Sequence, residues 1–264
     1  GLAAVRACLD SVLPGNEINL TALLFPLNDA GLFAAVLELA ADIARQSRAG
    51  SDGPPALVEA PPTTGFDPMG AQRGRILAWH QNRIRALYGS GEHTAARAAL
   101  DGLTRHVHDE DLEAAALLLE EAHRWGDMPA LIELADGVLQ RRASHAHTLW
   151  LRGTARAQLQ RTGALADLLA CLEDATPFAG LAHDAIARLY LDRRDPGAAL
   201  EHARRAFVLD PRRTAGAELV ARALLGLDRP QDAEAWLIEH SAQITDPLAL
   251  AGAILPLLLA GRPQ

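Results

Sequence analysis

The groups able to do chemistry in this chain are concentrated in a few places. His106, His108, Asp109, Glu110 and Asp111 stand almost consecutively, and His145 and His147 form a second pair. Imidazoles and carboxylates together would suit a divalent transition metal, but ligands on a helix usually recur at i, i+3 or i, i+4. Glu120 and His123 have that spacing, yet no second copy completes a coordination shell. Both histidine pairs therefore read as solvated inter-helix turns, and no metal or cofactor is expected. Nucleophilic chemistry has no framework either: there is no Gly-x-Ser-x-Gly elbow, no His-Glu-x-x-His, and no glycine-rich phosphate loop after a strand. Cys171 lies in the apolar run LLACLED and reads as core. All 25 basic residues are arginine, which removes Schiff-base and phosphate-loop lysine chemistry. The expectation is a protein that is not an enzyme.

Bulk properties narrow the class further. A hydrophobic fraction of 49% in 264 residues is ample for a core, so wholesale disorder is excluded. Aromatics make up only 4%, so the core must be built from Ala and Leu, which favours closely packed helices. A net charge of -8 repels a phosphate backbone, and no nucleic-acid partner is expected. Cys8 and Cys171 are too far apart in sequence to suggest a disulfide framework. The N-terminus has no charged-then-apolar secretion signal. The longest uncharged run, 247–261, is shorter than a bilayer span and is interrupted by Pro256. A soluble, cytoplasmic protein is the resulting expectation.

Position along the chain is set by helices. Residues 180–213, GLAHDAIARLYLDRRDPGAALEHARRAFVLDPRR, hold two helical segments at about 181–193 and 197–208, with Asp195-Pro196 between them and Asp210-Pro211 as the stop. Ala187, Tyr190, Ala199, Ala206 and Pro211 occupy fixed places in it. Small side chains let helices approach, and the larger ones fill the space between hairpins. This unit resembles a tetratricopeptide repeat, whose family places a small residue eighth, an aromatic eleventh, small residues twentieth and twenty-seventh, and proline thirty-second. One hairpin cannot bury its own apolar face, so copies are expected on both sides. They are read at 77–110, 112–145, 146–179 and 214–247, with Gly153, Ala187 and Ala221 in register. Leu119 and Ile84 replace the small residue in the outer copies, Leu131 and Leu165 replace Ala, and His240 and Thr245 fall where Ala and Pro are expected.

The resemblance implies an all-α, right-handed superhelical solenoid with a concave groove lined by the first helix of each hairpin. Carried onto this sequence, the groove positions are Gln81, Arg85 and Tyr88; Glu120, His123 and Arg124; His147, Trp150, Thr154 and Gln158; Asp184, Arg188 and Leu191; and Glu218, Arg222 and Leu225. Charges of both signs with one tryptophan suit a peptide, a helix or a partner domain, with Trp150 as anchor between Arg188 and Glu120. A lysine-dependent clamp for terminal carboxylates is excluded by composition, and Asn82 is the only asparagine on a first helix. The expected function is a protein-interaction scaffold. The alternatives are a repeat appendage of a larger enzyme, such as a glycosyltransferase, and a secretion or assembly chaperone.

The ends are read separately. Residues 1–46 are expected to cap the array, with helices at Ala3–Leu13, Glu17–Phe25 and Asp29–Gln46 and Asn28 as N-cap of the last. Residues 47–76 read as a linker rich in proline and glycine, and Pro54–Pro62 is expected to lie extended in the groove as a peptide mimic. Residues 248–264 are expected to form a final capping helix. Its uncharged stretch Leu248–Ala260 points to continuation of the chain, with self-association or a partner as the other ways to cover it.

Overall fold

The computed structural model describes residues 21–48, 68–107, 111–211, 214–240 and 254. Among these residues there are twelve helices and no strand. They are α1 (Thr21–Asp29), α2 (Phe33–Arg48), α3 (Pro68–Gly89), α4 (His93–His106), α5 (Leu112–Arg124), α6 (Met128–Arg141), α7 (Ala146–Gln158), α8 (Ala164–Ala170), α9 (Ala179–Asp192), α10 (Pro196–Leu209), α11 (Thr214–Gly226) and α12 (Pro230–His240). None of them is long and apolar enough to cross a membrane. The expected helix at Ala3–Leu13, the Pro54–Pro62 segment, His108 to Glu110 and, apart from Ile254, the stretch Leu248–Ala260 lie outside the described residues.

The helices pack as adjacent pairs, and one backbone device joins every pair. At Gly31, Gly91, Gly126, Gln160, Arg194 and Asp228 the chain turns left-handed, with φ between 51° and 83°. Each of these residues donates its N–H to the carbonyl three positions back, and the next residue donates to the carbonyl five positions back. That is a Schellman stop, in which the last orphan carbonyls of a helix are satisfied by the turn itself. From Gly126 onward the turns recur every 34 residues, and Gly91 precedes Gly126 by 35.

The N-terminal helices differ from their expected form. Asn28 is not an N-cap: it lies inside α1, is buried, and donates from Nδ2 to both the backbone oxygen and Oδ1 of Asn82, at 3.0 and 2.9 Å. The turn comes at Gly31, so α1 and α2 form a hairpin with the same stop as the others. Residues 68–76, inside the segment read as linker, open α3 instead. Pro68 is tolerated there because the first helical position needs no N–H.

Two compact units divide the chain, Gly1–Arg141 and Arg142–Gln264. The first holds α1 to α6. Phe33 enters it against Gly89, where a β-carbon would lie 2.5 Å from the Phe33 ring, so a larger residue would have to displace that ring. Trp79 closes the other side, donating from Nε1 to the Ala40 carbonyl at 3.2 Å. Ile84, Leu100, Leu118, Leu119 and Leu131 fill the interior.

The second unit holds α7 to α12 and is built on small residues. A β-carbon on Gly153 would lie 2.8 Å from Leu168 Cγ, so α7 and α8 meet at a separation only glycine allows. Ala187, Ala199, Ala206 and Ala221 are buried in the later hairpins, where Phe207, Leu219 and Leu224 occupy the space between helices. The second helix of its first hairpin, α8, has only seven residues and is capped by Cys171.

Candidate functional site

In the first unit the expected groove residues are largely bound to one another's neighbours. Gln81 on α3 donates to the Leu117 carbonyl of α5 at 3.3 Å. Arg85, one turn on, forks onto Glu121 at 3.1 and 2.7 Å, and its guanidinium lies 5.6 Å from the Phe25 ring centre. Glu121 is only 2% exposed, and Arg124 approaches the same carboxylate at 3.7 Å. A buried carboxylate needs such partners, because desolvation otherwise costs several kcal/mol, of the order seen for isolated buried ions.

Tyr88 is turned inward rather than into a groove. It is 2% exposed, and its hydroxyl donates to Asp127 Oδ2 at 3.1 Å. Asp127 also receives both arms of Arg97 at 2.6 Å each. Burial pushes the Tyr88 hydroxyl well above its ordinary range, reinforced by the Asp127 charge. Burial alone would raise Asp127 too, but the hydrogen bonds from Arg97 and Tyr88 outweigh it and hold the carboxyl below the usual carboxylate range. The trio ties α3, α4 and the turn before α6 together. Glu120 and His123 are half-buried on α5, and Arg124 is exposed. Burial lowers the His123 imidazole below its ordinary value, against an opposing pull from Glu120.

In the second unit an aromatic stack emerges that the sequence pattern only half revealed. His147 is buried and lies on Phe178, with centroids 4.1 Å apart and planes at 21°. Trp150, partly exposed one turn along α7, stacks on the same phenyl ring at 5.9 Å and 15°. Thr154 spends its hydroxyl on the Trp150 and Leu151 carbonyls, at 3.0 and 2.9 Å, and Gln158 is exposed. On α9, Asp184 is turned inward, whereas Arg188 is exposed and makes no hydrogen bond or ion pair among the described residues. On α11, Glu218 and Arg222 pair at 3.4 Å, and Leu225 there and Leu191 on α9 are partly exposed. Helix α9 packs against both α7 and α11, so these three faces are consecutive. Glu120 belongs to the first unit and Trp150 to the second.

Several site features had no signature in the sequence. Phe178 follows Pro177 in what reads as a stop, and nothing in the spacing marks it as the plate beneath Trp150. Arg152 and Arg156 share the buried Asp167 at 2.6 and 2.8 Å, which holds short α8 onto α7. The Arg85 to Glu121 and Gln81 to Leu117 pairs both span 36 residues, close to one repeat, so a search for opposite charges at that separation could have found the first.

The chemical candidates take structural places. His145 caps α7, its Nδ1 accepting from the Thr148 N–H at 3.4 Å. Cys171 is fully buried and its thiol is pushed up to about 11 by desolvation, far from the thiolate range a nucleophile needs. No cluster of three or more metal-ligating side chains occurs among the described residues. Compared with known proteins, the chain matches no family model and no curated protein sequence.

Proposed function

We propose that this protein is a tetratricopeptide-like, non-enzymatic interaction scaffold that seats a peptide, helix or partner domain on the first-helix faces of its hairpins. The reading is supported by the 34-residue recurrence of identical turns and by the packing of α9 against α7 and α11. One observation carries the functional part: in the second unit, a partly exposed tryptophan plate is backed by Phe178 and His147, while the next first helix offers exposed Arg188, which makes no hydrogen bond or ion pair among the described residues. A rigid aromatic plate loses little entropy when covered, and an exposed guanidinium recognises a carboxylate by a two-point fork. The favoured partner is therefore a segment with an apolar anchor and an acidic residue.

Affinity capture from the native host with wild type, Trp150→Ala and Arg188→Glu tests the proposal. A partner bound here is lost with both variants, each by roughly 2 kcal/mol or more of binding. Arg188 is exposed, so Arg188→Glu should lose the partner with an unchanged melting temperature. Retention of the same partner by both variants would overturn the reading.

A further inference from the structure

Inside the second unit two histidines face each other across the α9–α10 hairpin. His183 is buried on α9, and His202 is half-buried on α10. Their Nδ1 atoms lie 2.9 Å apart, with ring centroids at 5.0 Å. Two bare nitrogens at that distance would repel, and two N–H groups would collide, so one proton must lie between them. One ring is then the Nδ1–H tautomer and donates. The other accepts at a bare Nδ1 and carries its own proton on Nε2.

This arrangement distinguishes one added proton from two. The first can go to the free Nε2 of the donating ring, and the Nδ1–H to Nδ1 bond survives. A second must go to the accepting Nδ1, which sets N–H against N–H between two cations. We propose that the His183–His202 pair is an acid-operated latch that holds α9 against α10 while at least one ring is neutral and releases the hairpin when both are charged.

The surroundings favour the closed state near neutrality. Burial first, then the neighbouring His202 and Arg205, hold His183 down to about 4, with Glu201 pulling the other way. His202 is lowered by burial and Arg205, again against Glu201. Glu201 and Arg205 are themselves paired on α10 at 2.6 Å. Tyr190 of α9 brings only a neutral ring, 5.8 Å from His202, and the carboxyl of Asp184 lies next to His183 in the chain and is buried. Charges on the other packed helices are engaged elsewhere: Glu218 with Arg222 on α11, and Asp167 of α8 with Arg152 and Arg156 of α7.

The direction of the pH effect follows from linkage. Both imidazoles have folded values below the ordinary histidine value near 6.5, so the open hairpin binds protons more tightly than the closed one. The latch is fully effective above that value and weakens as pH falls below it. Imidazole nitrogen NMR on the full chain from pH 8 to pH 3, with amide hydrogen exchange of the same samples, tests it. At neutral pH one Nδ1 should report a bound hydrogen and the other none, and neither ring should titrate near 6.5. Below that pH, protection of the α9 and α10 amides should fall about tenfold per pH unit for each proton taken up. The double variant His183→Gln, His202→Gln should flatten that dependence. Two rings titrating independently near 6.5 would overturn the proposal on wild type alone, whether or not the variant folds. An unchanged pH dependence in a folded variant would overturn it equally.

Discussion

Asp127 collects four hydrogen bonds, from the Tyr88 hydroxyl, both arms of Arg97 and the Ala130 N–H, on a carboxylate that is only 2% exposed, and it shows how much of the first unit depends on single side chains. Removing the carboxylate leaves the Tyr88 hydroxyl buried without its acceptor, whereas half-exposed Arg97 can turn to solvent. Asp127→Ala should therefore cost about 1–3 kcal/mol in chemical denaturation. Because the folded carboxyl is held below its ordinary value, its contribution is present above about pH 4 and is lost as pH falls through the lowered folded value. Tyr88 gives the opposite limit. Its folded value is raised, so its contribution is intact below about pH 10 and lost above it. Tyr88→Phe should remove part of the alkaline fall in stability without altering the acid one. Gly153→Ala should overpack the α7–α8 crossing against Leu168, at about 1–3 kcal/mol, seen as a lowered melting temperature.

Between helices, the shared stop makes a series of matched comparisons. The first unit uses glycine at all three left-handed positions, and the second uses Gln160, Arg194 and Asp228. A side chain in that conformation costs roughly 1–2 kcal/mol that glycine avoids, less the extra freedom glycine has when unfolded. Gln160→Gly, Arg194→Gly and Asp228→Gly should each stabilise the protein by about 0.5–1 kcal/mol, while Gly126→Ala should destabilise it by a similar amount; denaturant midpoints with unchanged slopes would check this. The helices of the later hairpins were readable because Gly153, Ala187 and Ala221 mark close crossings at a constant interval. The α1–α2 hairpin was not, because 60 residues separate Gly31 from Gly91 and the period is broken there. Asn28 carried the right residue type for a cap, but its side-chain amide nitrogen is spent on Asn82, a contact 54 residues away that no local rule contains. The same limit applied at the site. Groove positions transfer by number, while Tyr88 and His147 are drawn inward by Asp127 and Phe178, partners fixed only by three-dimensional packing.

At the scale of the whole chain, the two units each carry their own interior, one closed by Trp79, Phe33 and Tyr88, the other by Phe207 and a series of alanines. Damage to one should therefore be felt mainly where it is made. In hydrogen exchange, Asp127→Ala should lower protection across α3 to α6 and leave α9 to α11 near their wild-type values. Equal loss in both would mean that they unfold as one cooperative body.

The recurring stop also bears on how such a chain can grow. The corner inside each described hairpin is closed by main-chain carbonyls, and the residue at its apex is glycine in one place and glutamine, arginine or aspartate in another. A hairpin such as α9–α10 thus carries its corner within itself, whichever neighbour it meets. Lengthening by tandem duplication then asks little more of the inserted copy than small residues at the crossings, so length can drift while the joinery stays the same.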